Sequence, residues 1–152
     1  MDRDAILRKY PPQSENLLAL LHDLQDAREL HYLTEEDLRA AADHFHLPLS
    51  FVHGVATFYT MYSLQPRGRH VIRFCQSPAC HLMGGVSVGK TLQKLLGVDF
   101  GETTPDHEFT LEMSSCLGVC GVAPAMMVDD RVYGNLDEEK VASILESIRR
   151  EK

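Results

Sequence analysis

His70-Val71-Ile72-Arg73-Phe74-Cys75-Gln76-Ser77-Pro78-Ala79-Cys80 carries an apolar run straight into a pair of cysteines. Residues 70–74 read as a strand that ends at Cys75. Further on, Phe109, Leu111 and Met113 alternate with Thr110, Glu112 and Ser114, which predicts a second strand with one buried face. That strand leads into the other pair, Cys116-Leu117-Gly118-Val119-Cys120. Each pair thus falls in a loop at a strand end, and such loops can converge on one edge of a sheet.

The rest of this region fits around the two strands. Val88, Leu92, Leu95 and Leu96 mark a helix that ends near Gly97. Ala125 to Val128 is a short apolar strand, Asp129-Asp130 a turn into Val132-Tyr133, and Asp137 the cap of a helix with an apolar face of Val141, Ile144, Leu145 and Ile148. The order is β-α-β-β-α. Upstream the period is helical. Leu17, Leu18, Leu20, Leu21 and Leu24 recur at helical spacing behind Ser14 as N-cap, and Thr34 precedes Glu35, Glu36 and Asp37 as a cap with first-turn acids. Leu38, Ala41, Ala42 and Phe45 form the face of that helix, and Pro48 ends it and opens the next. Phe51, Val55, Phe58 and Tyr62 line one stripe of a third helix, expected to be core or a docking face. Gln65-Pro66-Arg67-Gly68 breaks the pattern. The expectation is an α+β chain with a helical part over 1–66 and a sheet-containing part over 67–152.

The chain has 152 residues and a formal charge of -7, with no cluster of Lys and Arg. Nucleic-acid binding needs a basic face to displace counterions, so it is not expected. No apolar run approaches the roughly 20 residues of a membrane span, and the N-terminus lacks the apolar core of a secretory signal. A cytoplasmic location is the default, and in that reducing compartment clustered cysteines serve as metal ligands or redox groups rather than as disulfides.

All four cysteines lie in the two short pairs. Thiolates suit the irons of a [2Fe-2S] cluster, which takes two at each iron, and short loops can aim N–H groups at the sulfurs. Gly118, Gly121, Gly84 and Gly85 would allow such loops their dihedrals. Four thiolates also suit structural zinc, although zinc knuckles are usually tighter than these spacings. Buried or disulfide-bonded cysteines are the plainest alternative. A Rieske centre is disfavoured, because no histidine stands beside the second pair.

Gly84-Gly85-Val86-Ser87-Val88-Gly89-Lys90-Thr91 matches the phosphate-binding pattern G-x-x-x-x-G-K-[ST]. The context opposes a nucleotide site. A P-loop leaves a strand directly, whereas here both cysteines and Pro78 separate the strand from Gly84.

Taken in order, Gly54-Val55-Ala56-Thr57-Phe58-Tyr59, Cys75 to Cys80-His81, Gly101-Glu102-Thr103-Thr104, Phe109-Thr110-Leu111-Glu112 and Cys116 to Pro124 resemble the thioredoxin-like [2Fe-2S] subunit of NADH:quinone oxidoreductase. Related subunits occur in NAD-linked hydrogenases and formate dehydrogenases. The resemblance implies a helical bundle followed by a thioredoxin-like βαββα domain. It implies one [2Fe-2S] cluster on Cys75, Cys80, Cys116 and Cys120, and a one-electron carrier with no acid, base or nucleophile of its own. It also implies a flavoprotein partner holding FMN and the NAD(H) site, together with further iron-sulfur subunits, in a soluble complex or the peripheral arm of a membrane-associated one. A zinc-stabilised interaction module is the competing function.

Among the other residues, His44 and His46 are expected at the surface. His81 is expected either to donate a hydrogen bond near the cysteines or to sit exposed in its loop. Pro124 is expected to follow an ordinary trans bond.

Overall fold

The computed structural model describes residues 2–150. The chain divides into two compact units at the bond between Arg67 and Gly68, one residue beyond the sequence boundary. Arg67 belongs to the first unit because its N–H donates to Leu30 O at 2.8 Å.

The first unit holds α1 (Arg3–Leu7), α2 (Leu17–Asp26), α3 (Glu35–Phe45) and α4 (Leu49–Phe58). Leu17, Leu20, Leu21 and Leu24 form its core with Leu33, Leu38, Ala41, Phe45 and Val52. Ser14 does not cap α2. It opens a 3-10 turn over Ser14–Asn16, and the α-helix begins only at Leu17. Thr34 does cap α3, in a reciprocal box with Asp37.

The aromatic stripe, expected to be core or a docking face, turns Phe51 and Phe58 outward and so is not core there. Phe58 is 77% exposed and Phe51 52%, while Val52 and Ala56 take the buried side of α4. The helix has no charged residue, so apolar periodicity cannot select which of two adjacent stripes faces inward. The smaller residues allow the closer helix approach and win. Tyr62 is buried from beyond the helix end, with its hydroxyl donating to Leu18 O at 2.8 Å. His44 is only half-buried and lies 2.8 Å from Tyr10 O.

The second unit is built on β1 (His70–Cys75), β2 (Glu102–Thr103), β3 (Phe109–Ser114), β4 (Met126–Val128) and β5 (Arg131–Tyr133), in the sheet order β2-β3-β1-β4-β5. β1 and β3 are parallel and the other pairs antiparallel. A one-turn helix, α5 (Pro78–Cys80), runs through a widened turn at His81–Gly85 into α6 (Val86–Leu96), and α7 (Glu138–Arg150) closes the unit. Ile72, Phe74, Phe109, Leu111 and Met126 share one core with Val88, Leu92, Val141 and Leu145. Lys140 N–H donates to Asp137 Oδ1 at 2.7 Å, the cap read from the sequence.

Two features exceed the β-α-β-β-α pattern. β2 is a two-residue edge strand, too short to leave a sequence signal, and β5 completes a hairpin with β4. β3 also departs from strict alternation. Thr110 is buried because its hydroxyl accepts from Gly68 N at 2.6 Å and pairs with Thr103 Oγ1 at 2.8 Å. The Ala123–Pro124 bond is cis, contrary to the trans expectation.

Candidate thiolate site

Strand direction brings the cysteines together. β1 and β3 run parallel in a register that sets Cys75 opposite Ser114, so Cys116 emerges from the same end of the sheet. β4 is antiparallel and starts at that end, with Met126 opposite Phe74. The junction is tied by Cys75 N–H to Ala125 O at 3.2 Å and Gln76 N–H to Ser114 O at 3.1 Å. Cys75, Cys80, Ala123 and Ala125 pack as one buried cluster, with Ala79, Leu117 and Val119 against it.

The pairs differ in exposure. Cys75 and Cys80 are buried, whereas Cys116 and Cys120 are exposed, and no disulfide joins any of the four. Cys116 Sγ and Cys120 Sγ lie 3.5 Å apart, and Gly118 N–H donates to Cys116 Sγ at 3.4 Å. Gly118 makes that turn at φ +80°, a left-handed conformation that costs a residue with a Cβ roughly 1–2 kcal/mol.

The thiols also feel one another. Burial pushes the Cys75 thiol up, but the Ser77 and Leu117 amides, the Cys80 thiol and the Ser77 hydroxyl outweigh it and leave Cys75 below the ordinary thiol value. Cys80 is raised, first by burial and then by Cys75, against the Ala125 amide. Gly118 N–H and the Cys120 thiol lower Cys116, and Cys116 in turn raises Cys120. The Ser77 hydroxyl contributes to lowering both Cys75 and Cys116. Sequence reasoning did not single out Ser77, although its place two residues after the first cysteine was visible. His81 is exposed and lines a groove beside Cys75.

Paired thiols with N–H donors aimed at sulfur fit a [2Fe-2S] group, which needs two thiolates at each iron. Among the described residues no three of His, Cys, Asp and Glu are gathered around the position of one ion. The P-loop resemblance fails on backbone. Gly89, Lys90 and Thr91 lie inside α6, and the residues from His81 to Gly85 form a kinked turn that leaves a one-turn helix instead of a strand.

An α+β unit that gathers two cysteine pairs at one end of its sheet has the makings of an iron-sulfur electron carrier. The chain belongs to the thioredoxin-like [2Fe-2S] ferredoxin family, whose pattern matches residues 3–149. An NADH-quinone oxidoreductase subunit from Aquifex aeolicus (strain VF5) is 38% identical over 136 residues, spanning 90% of this chain and 84% of that one. The HndA subunit of the NADP-reducing hydrogenase from Solidesulfovibrio fructosivorans is 34% identical over 139 residues, spanning 91% and 80%. A crystal structure of an NAD+-reducing [NiFe]-hydrogenase in the H2-reduced state superposes with a TM-score of 0.80 at 25% identity, over 93% of this chain. The match covers only 24% of that hydrogenase chain. No helix among the described residues is long and apolar enough to cross a membrane.

Proposed function

We propose that this chain is a one-electron carrier subunit of an NAD(H)-linked oxidoreductase, with a [2Fe-2S] cluster held by Cys75, Cys80, Cys116 and Cys120. The observation that carries the reading is the meeting of the two cysteine pairs at one sheet end, in a chain of this family. The group supplies one-electron redox chemistry when bound. The chain's own part is to hold it still. The end of β1 fixes Cys75, the turn after Pro78 fixes Cys80, and the Gly118 turn fixes Cys116 and its N–H donor. Ala123, Ala125, Leu117 and Val119 exclude water from one side. The amides directed at Cys75 and Cys116 stabilise negative charge on sulfur and so favour the reduced state.

Hydride transfer moves two electrons and lies beyond a one-electron site, so it falls to an FMN- and NAD(H)-binding partner subunit, with further iron-sulfur subunits accepting electrons. The names of the NADH-quinone oxidoreductase and hydrogenase relatives support that placement, and the proposed location is cytoplasmic, in a soluble complex or a peripheral arm.

Anaerobically purified protein should be red-brown, bleach with dithionite and give a rhombic EPR signal when reduced. The alternative, a zinc-stabilised module, would use the same four thiolates, and the family match is what favours the cluster over it. Colourless protein with one zinc per chain, even after cluster reconstitution, would overturn the proposal.

A further inference from the structure

The letters that imitate a phosphate loop build a different feature. Gly85, Gly89 and Lys90 line a groove of about 370 Å³ against β1, near the lower end of the ~300–1,000 Å³ typical of ligand pockets. Phe74 and Phe100 also line it, with their rings stacked at 6.1 Å between centroids. Gly89 keeps it open. A Cβ there would lie 3.4 Å from Phe74 and 3.5 Å from Phe100, so a larger side chain would occupy the space. Val86 and Met113, both exposed, carry the apolar wall to the surface.

Three observations say what fits. Cys75 lines the groove, so an occupant sits against the thiolate site. Beyond Cys80 the helix is broken at Gly84, where φ is +97°, and Leu82 and Met83 are left 82% and 64% exposed. Apolar residues this exposed, next to an apolar groove, mark a protein interface rather than a small-molecule pocket. Finally, no carboxylate lines the groove in a chain of net charge -7, and Lys90 stands at its rim.

We propose that this groove is where the flavin-bearing partner docks, by inserting an apolar or aromatic side chain flanked by a carboxylate that pairs with Lys90. The inference rests on the reading under Proposed function and adds the contact point. Apolar walls hold the side chain, Lys90 selects an acidic neighbour and speeds encounter, and contact with Cys75 brings the partner close to the thiolates, as electron exchange requires.

The test uses the FMN-containing, NADH-oxidising subunit that purifies with the wild-type chain from its source cells. Its affinity for the cluster-loaded chain is compared across wild type, Gly89→Leu and Lys90→Glu. Both variants should keep the wild-type EPR spectrum. Each should bind at least about tenfold more weakly, and Lys90→Glu should also lose the weakening by salt that wild type shows. Lys90 is exposed, so that variant decides the matter if Gly89→Leu does not fold. Wild-type affinity in either folded variant overturns the docking site and leaves the electron-carrier reading intact. Absence of any flavin subunit from the wild-type preparation overturns both.

Discussion

Asp37 in the first unit and Cys80 in the second are both buried groups that water would stabilise when charged, and the two units treat them differently. Asp37 is fully enclosed, yet each oxygen is satisfied. Oδ1 accepts from Arg3 Nε at 2.8 Å, and Oδ2 accepts from Arg28 Nε at 3.0 Å, Thr34 N at 2.9 Å and Thr34 Oγ1 at 2.7 Å. Cys80 sits among alanines and other thiols, and its own burial first, then Cys75, raises it against the Ala125 amide. A polar group whose partners are all internal ties elements together. Thiols close enough to shift one another's ionisation, Cys75 and Cys116 down and Cys80 and Cys120 up, form a site that a ligand from outside can engage. The helical unit therefore reads as architecture, and the sheet unit carries the chemistry.

The comparison breaks most sharply at the cysteines. Cys116→Ala should remove the cluster almost completely and destabilise the loops around it, because metal binding and folding are coupled. Iron and sulfide analysis checks the first effect, and hydrogen exchange across 75–85 and 114–125 the second. Exchange in α3 should stay unchanged. Full cluster occupancy in the variant would refute the ligand assignment.

The converse experiment is Asp37→Ala. It removes the Asp37 half of the capping box, while the Thr34 cap remains, and the anion shared by Arg3 and Arg28, which are themselves partly exposed and retain water. The expected loss is about 2–4 kcal/mol in urea unfolding of the helical unit, toward the low side of what breaking a buried pair costs. Iron content should not change.

Gly134→Ala probes how the second cysteine loop is braced. A Cβ at residue 134 would lie 2.4 Å from Val122 Cγ2 and 2.7 Å from Val122 O. The loop must shift, at about 1–3 kcal/mol. Adding Val122→Ala should recover part of the loss in melting temperature, since it removes the Cγ2 clash and leaves Cβ and the carbonyl, both at 2.7 Å. No recovery would mean that the Cβ and carbonyl contacts alone set the cost.

The smallest effect is in pH. Burial alone would raise the Asp37 carboxyl, but the Thr34 hydroxyl and amide, then Arg3 and Arg28, outweigh it and hold the group below its ordinary value of 3.8. A lowered folded value contributes stability that is present above the ordinary value and lost as pH falls through the folded one. The stability gap between wild type and Asp37→Asn should therefore narrow as pH drops from about 5 toward about 3. A constant gap would show that the node acts through packing instead of charge.

Much of this was legible in the amino-acid order. The run from His70 to Phe74 announced a strand, and Cys75 could only be at its end. The β3 alternation did the same for Cys116, and parallel pairing then did the rest. The α3 cap was readable because Thr34 and Asp37 are close in sequence. What stayed hidden depends on distant partners. The Phe51 and Phe58 face is indistinguishable from the Val52 and Ala56 face until the other helices are in place. Thr110 looks solvent-facing until Gly68 and Thr103 claim its hydroxyl. The groove at Gly89 exists only because Phe74 and Phe100, far apart in sequence, stack beneath it.

The uneven burial of the four thiols gives the site a back and a front. Cys75 and Cys80 are buried against Ala123 and Ala125, and Cys116 and Cys120 open to solvent. Solvent and dissolved reagents therefore meet Cys116 and Cys120 before Cys75 and Cys80. Thiol reagents added to the metal-free chain should modify the front pair well before the rear pair, an order that peptide mass spectrometry reads directly.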